Sequence, residues 1–138
     1  MDNLTLKERY HIPKDNAIDG VEAISYFILV DDITVGSIEL NLSIENDNLY
    51  YGHVGYSINK EYQGNHYAYE ACKKLFKIAK DVYKMNELYI TCSPDNIASK
   101  KTLEKLNGIL IDELFVPNNH PLYYRNEKIK LLYKFNLD

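Results

Sequence analysis

The chain has 138 residues, 26% of them charged, with a net charge of -4, which fits one globular domain, 1–138, able to bury a continuous core unaided. No basic block or stripe is present to attract nucleic acid, and no apolar run reaches the roughly 18 residues of a membrane span. Met1-Asp2-Asn3-Leu4 lacks the basic and apolar regions of a signal peptide, so a cytoplasmic location is expected and the sequons at Asn3 and Asn41 carry no meaning.

Leu4 to Ile12 reads as a first strand, and the polar stretch Pro13 to Gly20 as a loop. Ala23 to Val30 and Val35 to Leu42 are apolar runs around Asp31-Asp32-Ile33-Thr34, a connection suited to a β-hairpin. After the break at Asn46-Asp47-Asn48, Tyr50 to Ile58 reads as a strong strand. Its Gly52 and Gly55 suggest a bulge or a close approach to the backbone.

From His66 to Lys84 the period becomes helical, with Ala68, Ala71, Cys72, Leu75, Ile78, Ala79 and Val82 on one stripe. Glu87 to Cys92 is a short strand, so strand, helix and strand form a βαβ unit, for which a parallel pair with a right-handed crossover is expected. A second helix runs from about Asn96 to Leu106 and stops at Asn107-Gly108, a good left-handed terminal pair. Ile109 to Val116 and Ile129 to Phe135 are two more strands, separated by Pro117-Asn118-Asn119-His120-Pro121. The fold class is therefore mixed α/β, with no internal repeat. Cys72 and Cys92 have neither metal-ligand spacing nor a CxxC and read as buried free thiols. Most of the 13 tyrosines read as packing.

Tyr62-Gln63-Gly64-Asn65-His66-Tyr67-Ala68 and Asp95-Asn96-Ile97-Ala98-Ser99 each open a helix directly after a strand. The first places a turn where unpaired N–H groups and the positive end of a helix dipole would face an anion such as a pyrophosphate. In the second, Asn96, Ser99, Leu103 and Leu106 share one helical face, apolar at its end and polar at its start. Asn96 and Ser99 either cap their helix or turn towards the same region as Gln63-Gly64.

These segments resemble the GCN5-related N-acetyltransferase (GNAT) family and its small bacterial branch. The family's cofactor signature is Gln or Arg, two residues, Gly, one residue, then Gly or Ala, and this chain has Gln63-Gly64-Asn65-His66-Tyr67-Ala68. Gly52-His53-Val54-Gly55-Tyr56-Ser57-Ile58 resembles the family's fourth strand. Asn96-Ile97-Ala98-Ser99 with Leu103-Glu104-Lys105-Leu106 resembles its downstream motif. The resemblance implies a GNAT-like mixed sheet of six to seven strands around the βαβ unit, with parallel strands splayed so that the backbone of Gly52 to Ile58 is left unpaired beside Glu87 to Cys92. It also implies acetyl-CoA as cosubstrate, no metal, and acetyl transfer to a primary amine of a small molecule, peptide or protein, by direct attack in a ternary complex.

The implied cofactor contacts are Val54, Gly55, Tyr56, Ser57 and Ile58 on the strand, Gln63, Gly64, Asn65, His66, Tyr67, Ala68 and Tyr69 at the helix start, and Asn96 and Ser99 beyond. His66 stands where the family usually has glycine. A residue with helical dihedrals needs no positive φ, so a side chain is expected to be accommodated there. Leu103 falls where many members carry a tyrosine thought to protonate the leaving thiolate.

An alkyl amine titrates near ~10.4 and a thiol near ~8.5, so at neutral pH the nucleophile needs help more than the leaving group. His53 is the proposed base, with Glu39 competing, directly or through a water; ordinary surface placement is the alternative for both. Ser99 is the candidate donor or orienter for the thiolate, and a backbone N–H near Val54 to Tyr56 the candidate oxyanion donor at a Gly55 bulge. Fewer than fifteen residues separate Ile12 from the next strand, so the two helices that usually wall the acceptor site are shortened or missing. The other wall falls to Val116 to Asn126, with His120, Tyr123, Tyr124 and Arg125 lining an open cleft, or to a second subunit in a homodimer. Asp31, Asp32, Glu45 and Asp47 would favour a cationic acceptor, or form a solvated face. A catalytically inactive CoA-binding module is the alternative function; a phosphotransferase is disfavoured because the chain has no GxxxxGK[ST].

Overall fold

The computed structural model describes residues 3–137, except the side chains of Asn46 and Asp47. The readings of Met1-Asp2 and of the Asp47 charge lie outside the described residues. Strands β1 (Leu4–Ile12), β2 (Ala23–Val30), β3 (Ile33–Asn41) and β4 (Val54–Ile58) precede helix α1 (Tyr67–Asp81). Then follow β5 (Glu87–Cys92), α2 (Ile97–Lys105), β6 (Ile109–Phe115), the short α3 (Pro121–Tyr124) and β7 (Ile129–Asn136). The seven strands form two antiparallel sheets in the orders β1-β2-β3-β4 and β5-β7-β6, a mixed α/β architecture as expected.

Alternation sets the first sheet's faces. Ile38 and Leu40 are buried while Ser37 and Glu39 on the other face are half-buried. The β2–β3 hairpin closes through Asp31 and Asp32 between the paired Val30 and Ile33, with φ of 50° and 67°. This is the signature of a type I′ turn. Ala71, Cys72, Leu75 and Ala79 of α1 are fully buried and share a core with Ile24, Ile28, Ile38 and Leu40. Val82 falls outside that stripe, 61% exposed, because α1 ends at Asp81. Helix α2 buries Leu103 completely, and it stops where Asn107 enters the left-handed region (φ 68°) and Gly108 N–H donates to the Leu103 carbonyl at 2.9 Å. Between β1 and β2 the chain forms only a short 3-10 turn at Lys14–Asn16, with no α-helix.

The run from Tyr50 to Ile58 departs from the expected strand. Its first part ends a 3-10 turn spanning Asn46–Tyr50, and pairing with β3 begins only at Val54. Gly52 causes the delay: its φ is +74°, and a Cβ there would meet the Tyr89 carbonyl oxygen at 3.0 Å and Thr91 N at 3.2 Å. The expected close approach is thus at Gly52. Gly55 makes no bulge; it pairs with Glu39 in unbroken register and faces open space.

The strand–helix–strand unit β4–α1–β5 forms, yet no parallel ladder joins its strands; an isolated bridge between Gly52 and Ile90 links their ends. Asn41 N–H donates to the His53 carbonyl at 2.7 Å, so by antiparallel alternation Gly55 and Ser57 spend their backbone groups on β3. Those of Val54 and Tyr56 point away from β3 and have no partner among the described residues. The last link across the gap is His53: its N–H donates to the Tyr89 carbonyl at 2.8 Å, and its Nδ1 accepts the Tyr89 N–H at 2.9 Å. Beyond His53 the two sheets split.

Gly52 fixes where this split begins. Gly52→Ala should lower the unfolding free energy by roughly 2–5 kcal/mol, combining a strained φ with backbone overlap. Urea denaturation of both proteins checks this.

Candidate active site

The split opens on two cavities. The first, about 650 Å³, lies between β4, the start of α1 and α2, and is lined among others by Tyr56, Gln63, Gly64, His66 and Ser99. The second, about 330 Å³, lies between β4, β5 and the segment from α3 to β7. Tyr56, Asn96 and Ser99 line both, and the Tyr56 hydroxyl hydrogen-bonds the Ser99 Oγ at 3.0 Å.

The start of α1 leaves a run of backbone N–H groups unspent. Gly64 has φ +86°, and the first helical bond is Glu70 N–H to the His66 carbonyl, 3.1 Å. The N–H groups of Gly64, Asn65, His66, Ala68 and Tyr69 donate to no acceptor among the described residues, so they and the helix dipole are available to a phosphate group. The Gln63 side chain locks the turn by donating to the Ile58 carbonyl at 3.0 Å. Asn65 contributes structurally: its Nδ2 donates to the Tyr62 carbonyl at 3.0 Å, and it does not line the cavity.

His66 corrects the expectation of helical dihedrals. It is the N-cap of α1 with φ 63° and ψ 19°, in the left-handed region that glycine enters freely. Two cations that the sequence reading passed over, Lys101 and Lys105, also line this cavity, and Lys105 Nζ lies 4.4 Å from the Tyr69 ring centroid. Their four-residue spacing on one face of α2 was the available signal.

Asn96 belongs both to its helix and to the edge of the split. Its side chain caps α2 by accepting the Ser99 N–H at 3.1 Å, and it borders both cavities. Leu103 is buried in the core rather than near the split. The hydroxyl beside Ser99 is instead that of Tyr56 on β4, a side chain turned to the core face like Val54. Burial raises the Tyr56 pKa above its usual value, against the lowering effect of the Ser99 hydrogen bond. Val54, Tyr56 and Thr91 border the second cavity, where the unpaired Val54 and Tyr56 amides are available. Burial pushes the Cys72 thiol up to about 12, leaving it unreactive.

His53 and Glu39 are placed very differently. His53 is 7% exposed, and burial lowers its pKa from 6.5 to about 4, opposed by the nearby Glu87. Because Nδ1 accepts the Tyr89 N–H, the ring proton sits on Nε2. His53 therefore has no spare lone pair for a substrate proton unless the Tyr89 bond breaks. Glu39 is half-buried, accepts a hydrogen bond from the Tyr10 hydroxyl at 3.1 Å, and lies across the ladder from Gly55, which lines the second cavity.

The expected wall from Val116 to Asn126 is partly corrected. Arg125 lines the second cavity, whereas Tyr123 and Tyr124 do not. His120 is 3% exposed, its Nδ1 accepting the Leu122 N–H, with its ring against Tyr50 and Tyr51. It props the wall from behind. Glu127 and Lys130, which the sequence reading missed, line this cavity together with Ser93.

Comparison with known proteins agrees with this geometry. The family model described as "Acetyltransferase (GNAT) domain" matches residues 7–108. An uncharacterized N-acetyltransferase, YjdG, of Bacillus subtilis (strain 168) is 37% identical over 57 residues, covering 41% of this chain and 34% of that protein. The chain superposes on a GNAT-family acetyltransferase from Bacillus anthracis with a TM-score of 0.66 and 21% identity, covering 82% of this chain and 66% of that one. It also superposes on the microcin C7 self-immunity acetyltransferase MccE, solved with acetyl-CoA and AMP, with a TM-score of 0.65, 20% identity and coverage of 83% and 61%. The chain thus spans about a third of the curated relative's length and no more than about two thirds of these two structures.

Two outcomes follow from this geometry. The unfolded chain, with its imidazole near 6.5, takes up a proton that folded His53 refuses down to about pH 4. Stability on this account is full above pH 6.5 and falls as the pH drops towards 4. His53→Asn, which keeps an acceptor but no titrating ring, should flatten that part of the melting-temperature profile. His66→Gly should raise stability by about 1 kcal/mol by relieving the left-handed cap, read from the same thermal melts.

Proposed function

Because the chain belongs to the GNAT acetyltransferase family, we propose that it transfers an acetyl group from acetyl-CoA to a primary amine by direct attack in a ternary complex, residues 1–138 acting as one domain. The observation that carries this reading is the meeting of two cavities at the Tyr56–Ser99 hydrogen bond, one of them closed by the free amides of the α1 turn. Those amides, with Lys101 and Lys105, would hold the cosubstrate's phosphates. The unpaired backbone of Val54 and Tyr56 would receive its extended arm as an added strand partner.

The acetyl thioester supplies an activated acyl group. The chain's own residues then handle protons and charge. Glu39, reaching past Gly55 through a water, is the base this geometry favours for the ammonium, since His53 is committed to Tyr89. An amide of Val54 or Tyr56 would stabilise negative charge on the carbonyl oxygen. Ser99, polarised by Tyr56, would return a proton to the departing thiolate. The second reading, a CoA-binding module without transfer, rests on His66, which lines the first cavity where the family usually has glycine.

The buried free thiols Cys72 and Cys92 suit a reducing, cytoplasmic setting. Edge strand β6, with Ile109, Ile111 and Phe115 exposed, suits a homodimer contact. Light scattering after size exclusion checks the second of these.

Calorimetric titration is the direct test. Acetyl-CoA should bind and ATP should not, and Gly64→Ala, which opposes the +86° turn, should weaken acetyl-CoA by about tenfold or more. Absence of binding would remove the proposal. With a competent acceptor, Glu39→Gln should lower kcat/KM by roughly 10²-fold. Ser99→Ala and Tyr56→Phe should each lower kcat, and the double variant should fall little further because the pair acts as a unit.

A further inference from the structure

The second cavity carries charge that the proposed transfer does not use. Its ionised side chains come from the segment after α3: Arg125, Glu127 and Lys130. Lys130, though only 7% exposed, keeps its charge compensated because its Nζ lies 3.0 Å from Glu127 Oε1. The same oxygen accepts from the Ser93 hydroxyl at 3.3 Å, so Glu127 is held in place from two sides and its second carboxylate oxygen has no hydrogen-bond partner among the described residues. Arg125 has no ion-pair partner among the described residues and borders the same space. A neutral pair plus one uncompensated guanidinium leaves the lining with a net positive charge.

That sign separates two kinds of amine. A polyamine would bring further cations against Arg125 and Lys130, with a single carboxylate already shared by Lys130. An amine with an anionic group close by would offer the guanidinium a partner and its ammonium to the open oxygen of Glu127. Asp31 and Asp32 do not alter this, because they form the β2–β3 hairpin turn and do not line the cavity.

We infer that the acceptor, under the transfer proposed above, is an amine with a neighbouring carboxylate or phosphate, its anion on Arg125 and its nitrogen beside Glu127. The test measures thiol release from acetyl-CoA with matched pairs: Asp-Ala amide against Asn-Ala amide, O-phosphoethanolamine against ethanolamine, and spermidine alone. The anionic member of at least one pair should exceed its neutral partner in kcat/KM by about tenfold, and spermidine should be poorest. Which pair responds tells carboxylate from phosphate. Arg125→Ala should bring the responding ratio to within about twofold of unity, and Arg125→Glu should turn the preference towards spermidine. A panel in which neutral amines or spermidine do as well as the anionic ones, or in which no amine accelerates release, overturns the inference. Acetyl-CoA binding together with acceleration of thiol release by any amine decides the underlying transfer reading, so release accelerated best by spermidine would sink this inference alone.

Discussion

The fold turns on one residue spanning the join between two sheets. His53 gives its backbone N–H to the Tyr89 carbonyl and takes the Tyr89 N–H on Nδ1, satisfying both backbone groups that Tyr89 turns towards β4. A side chain thus does the work of a main-chain acceptor. The register on the two flanks is set independently, by β3 against β4 and by β7 against β5. Since neither sheet requires the other to continue, the strands part after this point with their outer backbone groups unspent. Burial without a partner would be expensive for those amides, and a cleft that admits a ligand or water is the arrangement that avoids the cost.

Everything assigned to the site is hung on that parting. Tyr56, the second residue after Val54 on the core face, reaches Ser99 across the gap, and their hydrogen bond separates a cavity walled by α1 and α2 from one walled by β5 and the segment after α3. The first carries free amides and lysines, the second a guanidinium and an ion pair. The absence of helices between β1 and β2 is offset on the other side, where His120 wedges against Tyr50 and Tyr51 and holds the α3 segment over the opening.

Much of this was legible from residue order because it depends on local rules. The Gln63-Gly64 turn, the 3.6-residue stripe of α1 as far as Ala79, the Asn107-Gly108 stop and the Asn96–Ser99 spacing are decided within a few residues of themselves, and the structure keeps each. The misreadings share a cause. Gly52 and Gly55 look alike in sequence, but only Gly52 meets the β5 backbone. His66 was expected to be helical because a helix follows it, yet the preceding turn forces the chain into the cap from the left-handed side. His53 alternates along a strand like any candidate base, and nothing nearby in sequence announces that Tyr89, 36 residues on, claims its lone pair.

The amino-acid sequence by itself determined the mixed α/β class, the tight turn that opens α1 and the kinship with acetyltransferases, since backbone propensity, hydrophobic period and short motifs act over a few residues. Only the tertiary structure decided which hydroxyl stands by Ser99, which histidine is spent on the backbone and which charges share the second cavity. Those outcomes are set by contacts between segments distant along the chain, such as Tyr56 with Ser99 and Ser93 with Glu127. Burial and partner then fix what each group can do, and neither is a property of the residue or its neighbours in sequence.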